Sequence, residues 1–582
     1  MINITDPRQT QLFDPFEHLF SPLAYKTIQN GWQGVFRHVI LELLPAEIVA
    51  GEFHPAMGRP TKELYSVAGL TFIMEFQDWT KEEAAQAYMF RSDLWYALNL
   101  EPGLHSMCER TLERYQAIFR ENELAQSVMH DVTMRLVDIL ELDISKQRLD
   151  STHVFSDMAT FGRTRLMGIT IKRFLTQVKR HDRACYDALP EELLERYRPS
   201  EHQLFASAMK DKESRKLARQ QVAEDMYALI EHFGDNKHFN KRDTFKALCL
   251  VFEQQCEVVE TKVTVKTKTG GNVIQNPSDL DATYDGHKGP GYQAQLSETC
   301  SEENEVQLIT SAIPQTASAN DADAVEEVRE DLKKSALLPG EMLADTLYGS
   351  DENVQASAAD GVELVAPVPG KTPNGETMNI GDFDVDEETE TVKACPAGHA
   401  PETSVHNPET GETRTVMPAG TCDGCEQKER CPMNQTRNGS HFEHSAKERR
   451  LDERRRNEET DEFREGYNKR AGIEATNSGV KRRTGMSRLR VRGKKSVFHA
   501  IIMKVAGWNV LQAARAKKMR EYVRGKMGIT GRGGQDTLAL CRSTGYWRIM
   551  TGFLTRKISL SAQKRAATQR ANLHWSPGAA CA

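Results

Sequence analysis

The 582-residue sequence lacks the features that carry a chain into or across a membrane. Its opening residues, MINITDPRQT, have neither the basic start nor the apolar core of a signal peptide. The longest apolar candidate, VFHAIIMKVAGW, is broken by Lys504 and falls short of the roughly 20 apolar residues that span a bilayer. No internal repeat is present, so no solenoid array is expected. No sign of charge dominates either: the net charge of −7 says little by itself about partners. Eleven cysteines, an odd number without a secretion signal, fit reduced thiols better than a disulfide framework. These absences lead to the expectation of an intracellular, cytoplasmic protein with no membrane partner.

What is present suits a folded chain of two or three domains, with 39% hydrophobic and 27% charged residues. The charge is unevenly spread. Residues 481 to 530 hold fifteen Lys and Arg against one acid, Glu521, whereas 376 to 390 (ETMNIGDFDVDEETE) are acidic. The basic stretch fits either a polyanion-binding surface or a solvated face.

Residues 1 to 140 read as a helical N-terminal domain. Leu64, Val67, Leu70, Phe72, Ile73 and Phe76 recur at helical spacing. Thr80 with Glu83, and Ser106 with Glu109, have the spacing of capping boxes. Arg110 and Arg114 flank Thr111 on the last helix of this module, as on a helix laid against DNA, or simply as surface arginines. Residues 141 to 368 then change pattern. Strands are expected at 146–156, 259–267, 291–299, 305–314, 342–345 and 362–368, helices at 321–335 and from 350, and a charged helical insertion at about 160–255. This order predicts an α/β (α+β) fold, a mixed sheet flanked by helices. Periodicity disappears from 369 to 445, a Cys-rich insertion. Residues 446 to 525 are helical and basic, and 526 to 582 read as a tail.

Phosphodiester chemistry needs neutralised charge on attacking and leaving oxygens, which two divalent ions held by acidic oxygens supply. Asp150 in a strand, Asp345 at a strand end and Glu474 in a helix are the candidate acids. Asp345 could equally cap the next turn. Glu474 has more telling company: Tyr467, Arg470, Glu474 and Lys481 follow Y-x2-R-x3-E-x6-K and fall within about 60° of one another on a helix. An acid on one ridge with an aromatic hydroxyl and two cations suits a metal ligand whose neighbours grip phosphate. Charge pairing between Arg470 and Glu474 is the plainer alternative. Gly472 and Gly479 weaken this helix, so propensity does not explain it. His287, Lys288 and Tyr292, in a Gly-rich loop before a strand, are candidates for DNA contact or for a turn serving only the fold.

Cys422, Cys425 and Cys431 stand as C-x2-C-x5-C, preceded by Cys395 in CPAGH. Four thiolates, or three with His399, could hold a structural Zn²⁺. Against this, the second half-site is incomplete, and reduced unliganded thiols also fit.

The segment YNKRAGIEATNSGVKRRTGMSRLRVRGKKSVFHAIIMKVAGWNVLQAAR resembles the C-terminal signature of bacterial insertion-sequence DDE transposases. QRLDSTHVFS and MLADTLYGSDEN resemble the strands carrying that family's first and second aspartates. NPSDLDATYDGHKGPGYQAQLSETC, and GRPTKELYSVAGL in the N-terminal region, are similar as well, in matching order over residues 15 to 515. The resemblance implies an RNase H-like catalytic domain interrupted before Glu474. It also implies Asp150, Asp345 and Glu474 as ligands of Mg²⁺ or Mn²⁺, and Tyr467, Arg470 and Lys481 as contacts to DNA. The implied partners are double-stranded DNA, as terminal inverted repeats and target, and a second copy of the chain when active. A nuclease that cuts without joining, and a DNA-binding regulator that has kept the fold, are the rival expectations.

Overall fold

The computed structural model describes residues 1–529 apart from 10–13, 104, 160, 207–210, 371–376, 437 and 438. All but the start of the expected C-terminal tail lies outside the described residues.

The central element is a six-stranded mixed sheet. Its strands are β1 (Lys146–Val154), β2 (Thr283–Asp285), β3 (Gly289–Thr299), β4 (Ile309–Thr316), β5 (Glu341–Leu343) and β6 (Glu363–Val365). The path runs β2-β3-β1-β5-β6, with β4 on β3. β3 lies antiparallel to β1, whereas β5 and β6 run parallel to it. Nearly every residue of β3 is buried, as happens when both sheet faces are covered. The expected α+β class, a mixed sheet flanked by helices, is what the chain adopts. One expected strand is different: 259–267 is the turn and second half of a hairpin, Cys256–Val259 with Lys262–Val265. Glu260 and Thr261 both take positive φ there, 48° and 74°, as a two-residue hairpin turn demands.

The N-terminal helices share one core with the sheet. Helix Leu64–Phe76 buries every residue except Tyr65 and Glu75, so its apolar face has become a whole circumference. It packs on helix Lys494–Ala513, which holds the apolar stretch around Lys504. Among the described residues no single helix is long and apolar enough to cross a membrane. The Thr80–Glu83 capping box forms. The Ser106–Glu109 box does not: helix Glu109–Glu121 starts from Cys108 without a side-chain cap, and Ser106 accepts from Lys62 Nζ at 2.8 Å. An ammonium distant in sequence, at the surface, takes the serine oxygen in place of the local backbone.

Two further clusters stand apart from this core. Helices Arg163–His181, Lys212–Phe233 and Asp243–Gln255 surround their own, including Phe174, Phe233, Phe239 and Phe245. The Cys-rich stretch, which shows no periodicity in sequence, is a small β unit. Thr403–Asn407, Glu412–Met417, Gly439–Ser445 and Asn434–Thr436 form an antiparallel sheet in that order. Its inward positions are largely Thr and Ser, so the period-two signal carries little hydrophobic contrast.

His499, on helix Lys494–Ala513, is buried with neither ring nitrogen hydrogen-bonded among the described residues. Burial, helped by Arg120, pushes its pKa down to about 4. The folded state therefore resists a proton that the unfolded chain accepts near pH 6.5. Its contribution to stability is complete above that value and is lost as pH falls toward 4. Between pH 7.5 and 5 this amounts to about 2 kcal/mol. Urea denaturation of His499→Leu at both pH values should show the acid loss reduced by about that amount; an unchanged pH dependence would contradict the assignment.

Candidate active site

The register of the sheet brings two of the three acids together. β1 pairs with β5 so that Arg148 stands opposite Leu343. Two residues further along both chains are Asp150 and Asp345, on adjacent strands about 4.8 Å apart. β5 ends formally at Leu343, but Ala344 N still donates to Val365 O at 3.0 Å, carrying the extended path to Asp345. There Asp345 Oδ1 accepts from Leu347 N at 2.9 Å. It caps a turn, as its position suggested, while its other oxygen, Oδ2, lies 3.6 Å from the Arg470 guanidinium.

Glu474 comes from a helical run that is not one uniform helix. Asp461–Tyr467 is α-helical, Asn468–Ala471 tightens to a 3-10 turn, and Gly472–Thr484 resumes the α-helix. The backbone stays right-handed throughout, so the expected ridge survives with a local overwinding.

The two glycines are explained by contact. A Cβ on Gly472 would come within 2.0 Å of Arg148 Nη1, and one on Gly479 within 2.6 Å of the Trp508 ring. Arg148 donates to Lys469 O at 2.9 Å and, through two nitrogens, to Glu298 Oε2 at 2.8 and 2.6 Å. Thr476 Oγ1 donates to Glu298 Oε1 at 2.6 Å. The buried Arg148–Glu298 pair, opposite one another on β1 and β3, thus seats the Glu474 helix on the sheet.

Arg470 ties the three acids together. Its guanidinium lies 3.2 Å from Asp150 Oδ1, 3.6 Å from Asp345 Oδ2 and 3.9 Å from Glu474 Oε1. Asn477 Nδ2 donates to the other oxygen of Asp150 at 3.1 Å. Burial pushes the Asp150 carboxyl above its ordinary value, Arg470 pulls it back, and Asp345 adds to the rise. Glu474 is exposed, with 71% of its side chain accessible. All three donors are hard carboxylate oxygens, the set that Mg²⁺ or Mn²⁺ prefers. Among the described residues, however, no three His, Cys, Asp or Glu side chains stand close enough together to hold a metal as they are.

Of the predicted cations, Lys481 and Lys288 lie at the same place. Burial lowers the Lys481 pKa first, Lys288 lowers it further, and Asp150 opposes them. Lys288 Nζ donates to Ser151 Oγ at 3.0 Å, beside Asp150. Tyr467 is half-buried, stacked on Phe463 with ring centroids 5.5 Å apart, and its hydroxyl is raised by burial and by Asp345. Tyr292 is elsewhere: it is fully buried and donates to Asp279 Oδ1 at 2.6 Å, so it packs the core and offers DNA nothing. His287 is exposed in the turn, its backbone N–H on Asp285. Arg110 and Arg114 sit exposed on the N-terminal helix Glu109–Glu121, with Arg114 over the Phe53 ring. Asn477 was missed, although it continues the same three-and-four spacing between Glu474 and Lys481. Tyr348, which donates to Gln295 Oε1 at 2.5 Å beneath the acids, had no sequence signal.

The four cysteines come to one place, although not to ligation spacing. Cys395, Cys422, Cys425 and Cys431, with His399, line one cavity of about 20 Å³, the space of a single water-sized particle. Cys395 N donates to His399 O at 2.9 Å, folding CPAGH into a tight turn. Burial raises the Cys431 thiol, and the nearby sulfurs of Cys422, Cys395 and Cys425 raise it further.

A sheet presenting two strand-borne aspartates to a helix-borne glutamate and a ridge of cations defines a candidate phosphodiester-processing site. Residues 394–514, which include Glu474 but neither aspartate, match the family model described as "Transposase DDE domain", over about a fifth of the chain. No curated protein matches. Among solved structures, the cryo-EM structure of the piggyBac transposase synaptic complex with hairpin DNA is similar at 9% identity, covering 64% of this chain and 73% of that one. Its TM-score of 0.20 is too low for the likeness to bear on function.

Proposed function

We propose that this chain is a DNA transposase of the DDE kind, which cuts at the ends of a bacterial insertion element and joins the freed 3′ hydroxyl to target DNA. The observation that carries this is the convergence of Asp150, Asp345 and Glu474, from three separate segments, on one guanidinium within 3.9 Å. The matched stretch around Glu474 supports it. In this reading the three carboxylates hold Mg²⁺ or Mn²⁺, which supplies charge neutralisation for an in-line displacement. Asp345 is held in place by Leu347 N, and the Glu474 helix by Arg148 and Glu298. Lys288, Lys481, Arg470 and Tyr467 grip the backbone around the scissile phosphate. The N-terminal helices, with Arg110 and Arg114, extend the contact along double-stranded DNA. Two copies of the chain act together, since two ends must be brought side by side, in the cytoplasm at the nucleoid.

The test is incubation of the full chain with Mg²⁺ and a donor DNA carrying the element's terminal inverted repeats. Cleaved ends together with joined product are expected. Cleavage without joining would instead favour a nuclease, and binding without either would favour a regulator.

The cysteine cavity is proposed to hold a structural Zn²⁺, which would stabilise an insertion whose own core is as small as Ile380, Phe383, Val392, Met417 and Met433. Protein purified without chelator is expected to carry about one zinc per chain and to lose it on Cys422→Ser with Cys425→Ser. Metal-free protein whose thiols all react in the native state would contradict this.

A further inference from the structure

Arg470 does more than lie near the acids. A single guanidinium contacts carboxylates from β1, from the end of β5 and from helix Gly472–Thr484, and it is the shared partner of all three. Its side chain is only 17% accessible, so these contacts are partly shielded from water. They hold the acids around a planar, five-donor cation, which is wider than a metal ion. This accounts for a triad that is gathered but not closed to ligation distance. The arrangement is also incomplete for Arg470. Its Nε is buried with no partner among the described residues, as is Oδ1 of the adjacent Asn477. The guanidinium therefore leaves one donor unsatisfied where it sits, and an unsatisfied buried donor favours departure.

We propose that Arg470 is the built-in counter-cation of the metal-free site, exchanged for divalent cations when the site loads and thereby freed to face phosphate. The inference rests on the metal-site reading above. Without Arg470, the triad would gather its carboxylates with only Lys288 and Lys481, neither of which bonds one of the three acids, to compensate them, at a cost in the metal-free state. With it, every arriving cation must displace a like charge. Loading then switches the guanidinium from the acids to the solvent side, where its fork matches a phosphate as well as it matched a carboxylate.

The experiment uses the full chain and Mn²⁺ alone, without DNA, with free Mn²⁺ followed by electron paramagnetic resonance. Arg470→Met is expected to bind Mn²⁺ at least about tenfold more tightly than the wild-type chain, because a cation in contact range is removed. It is also expected to melt at a lower temperature without metal, and to gain more from added Mn²⁺. Arg470→Lys keeps the charge but cannot reach three acids at once. It should shift the affinity in the same direction by a smaller factor, and it stands in if Arg470→Met does not fold. Lys481→Gln removes a neighbouring cation that bonds none of the three acids. An equal gain of affinity in that variant would reduce the effect to general field strength and overturn the proposal. Unchanged or weaker Mn²⁺ binding by folded Arg470→Met or Arg470→Lys would overturn it too, leaving the metal site intact. Absence of Mn²⁺ binding by every variant, with no change on Asp150→Asn, would remove the underlying metal-site reading as well.

Discussion

Asp150→Asn is expected to lower metal-dependent strand cleavage by about a thousandfold or more, with DNA binding and folding retained. Asp150 is the most enclosed of the three acids: its side chain is 15% accessible, against 31% for Asp345 and 71% for Glu474. It is also the acid with the most fixed oxygens, one on Arg470 and one on Asn477. The amide keeps the shape and can still accept from Asn477, so the sheet has no reason to distort. What it removes is one negative charge from the point where cations would bind. Charge stabilisation there is worth several kcal/mol, hence about three orders of magnitude in rate. Burial already disfavours the charged carboxylate, and Arg470 keeps Asp345 and Glu474 as partners. The melting temperature of metal-free Asp150→Asn should therefore not fall. Cleavage within about tenfold of wild type would refute the catalytic assignment, and a collapsed melting curve would make Asp150 a folding residue.

Lys504→Met should destabilise the protein by about 3 kcal/mol or more. In sequence, Lys504 reads only as the residue that interrupts an apolar run. In the fold its ammonium is buried and donates to Glu75 O at 2.7 Å, Asp78 Oδ1 at 3.0 Å and Thr484 O at 2.6 Å. Thr484 ends the Glu474 helix, so a cation meets the negative end of that helix dipole. Gly485 follows with φ of 69°, and a Cβ there would come within 2.4 Å of the Asp78 carboxylate. Three segments therefore meet at this ammonium: the end of helix Leu64–Phe76, the end of the Glu474 helix and helix Lys494–Ala513. Methionine fills the space but leaves Glu75 without its paired ammonium and Asp78 with Arg490 alone, 3.2 Å from its Oδ2. Burial already raises the Glu75 pKa, and only Lys504 and Arg120 oppose it. Denaturation in urea measures the loss. Adding Glu75→Gln to Lys504→Met should recover part of it, because the uncompensated carboxylate is then gone. A loss below about 1 kcal/mol would mean that water replaces the ammonium at little cost.

The site was legible where chemistry and spacing coincide on one element. The ridge from Tyr467 to Lys481 follows from the 3.6-residue period, and it holds although the backbone tightens at Asn468–Ala471. The capping box at Thr80 and Glu83 was legible for the same reason, being closed within four residues. The Ser106–Glu109 box had the same letters and failed, because Lys62, 44 residues away, claimed the serine. Tyr292 reads like a surface aromatic in a Gly-rich loop, yet strand pairing turned it inward to Asp279. The β unit around the cysteines left little trace, since Thr and Ser at its inward positions look like a loop.

By itself, the sequence named the residues that could do the chemistry: Glu474 with its cationic ridge and the clustered cysteines by local spacing, Asp150 and Asp345 by the resemblance of their segments to a family's aspartate strands. Only the tertiary structure decided that Asp150 and Asp345 are neighbours, because their meeting depends on a strand register between segments almost two hundred residues apart. It also decided that Gly472 and Gly479 are required by the close approach of Arg148 and Trp508, and that Arg470 faces the acids. Those facts come from packing across elements, where distance in space is unrelated to distance along the chain.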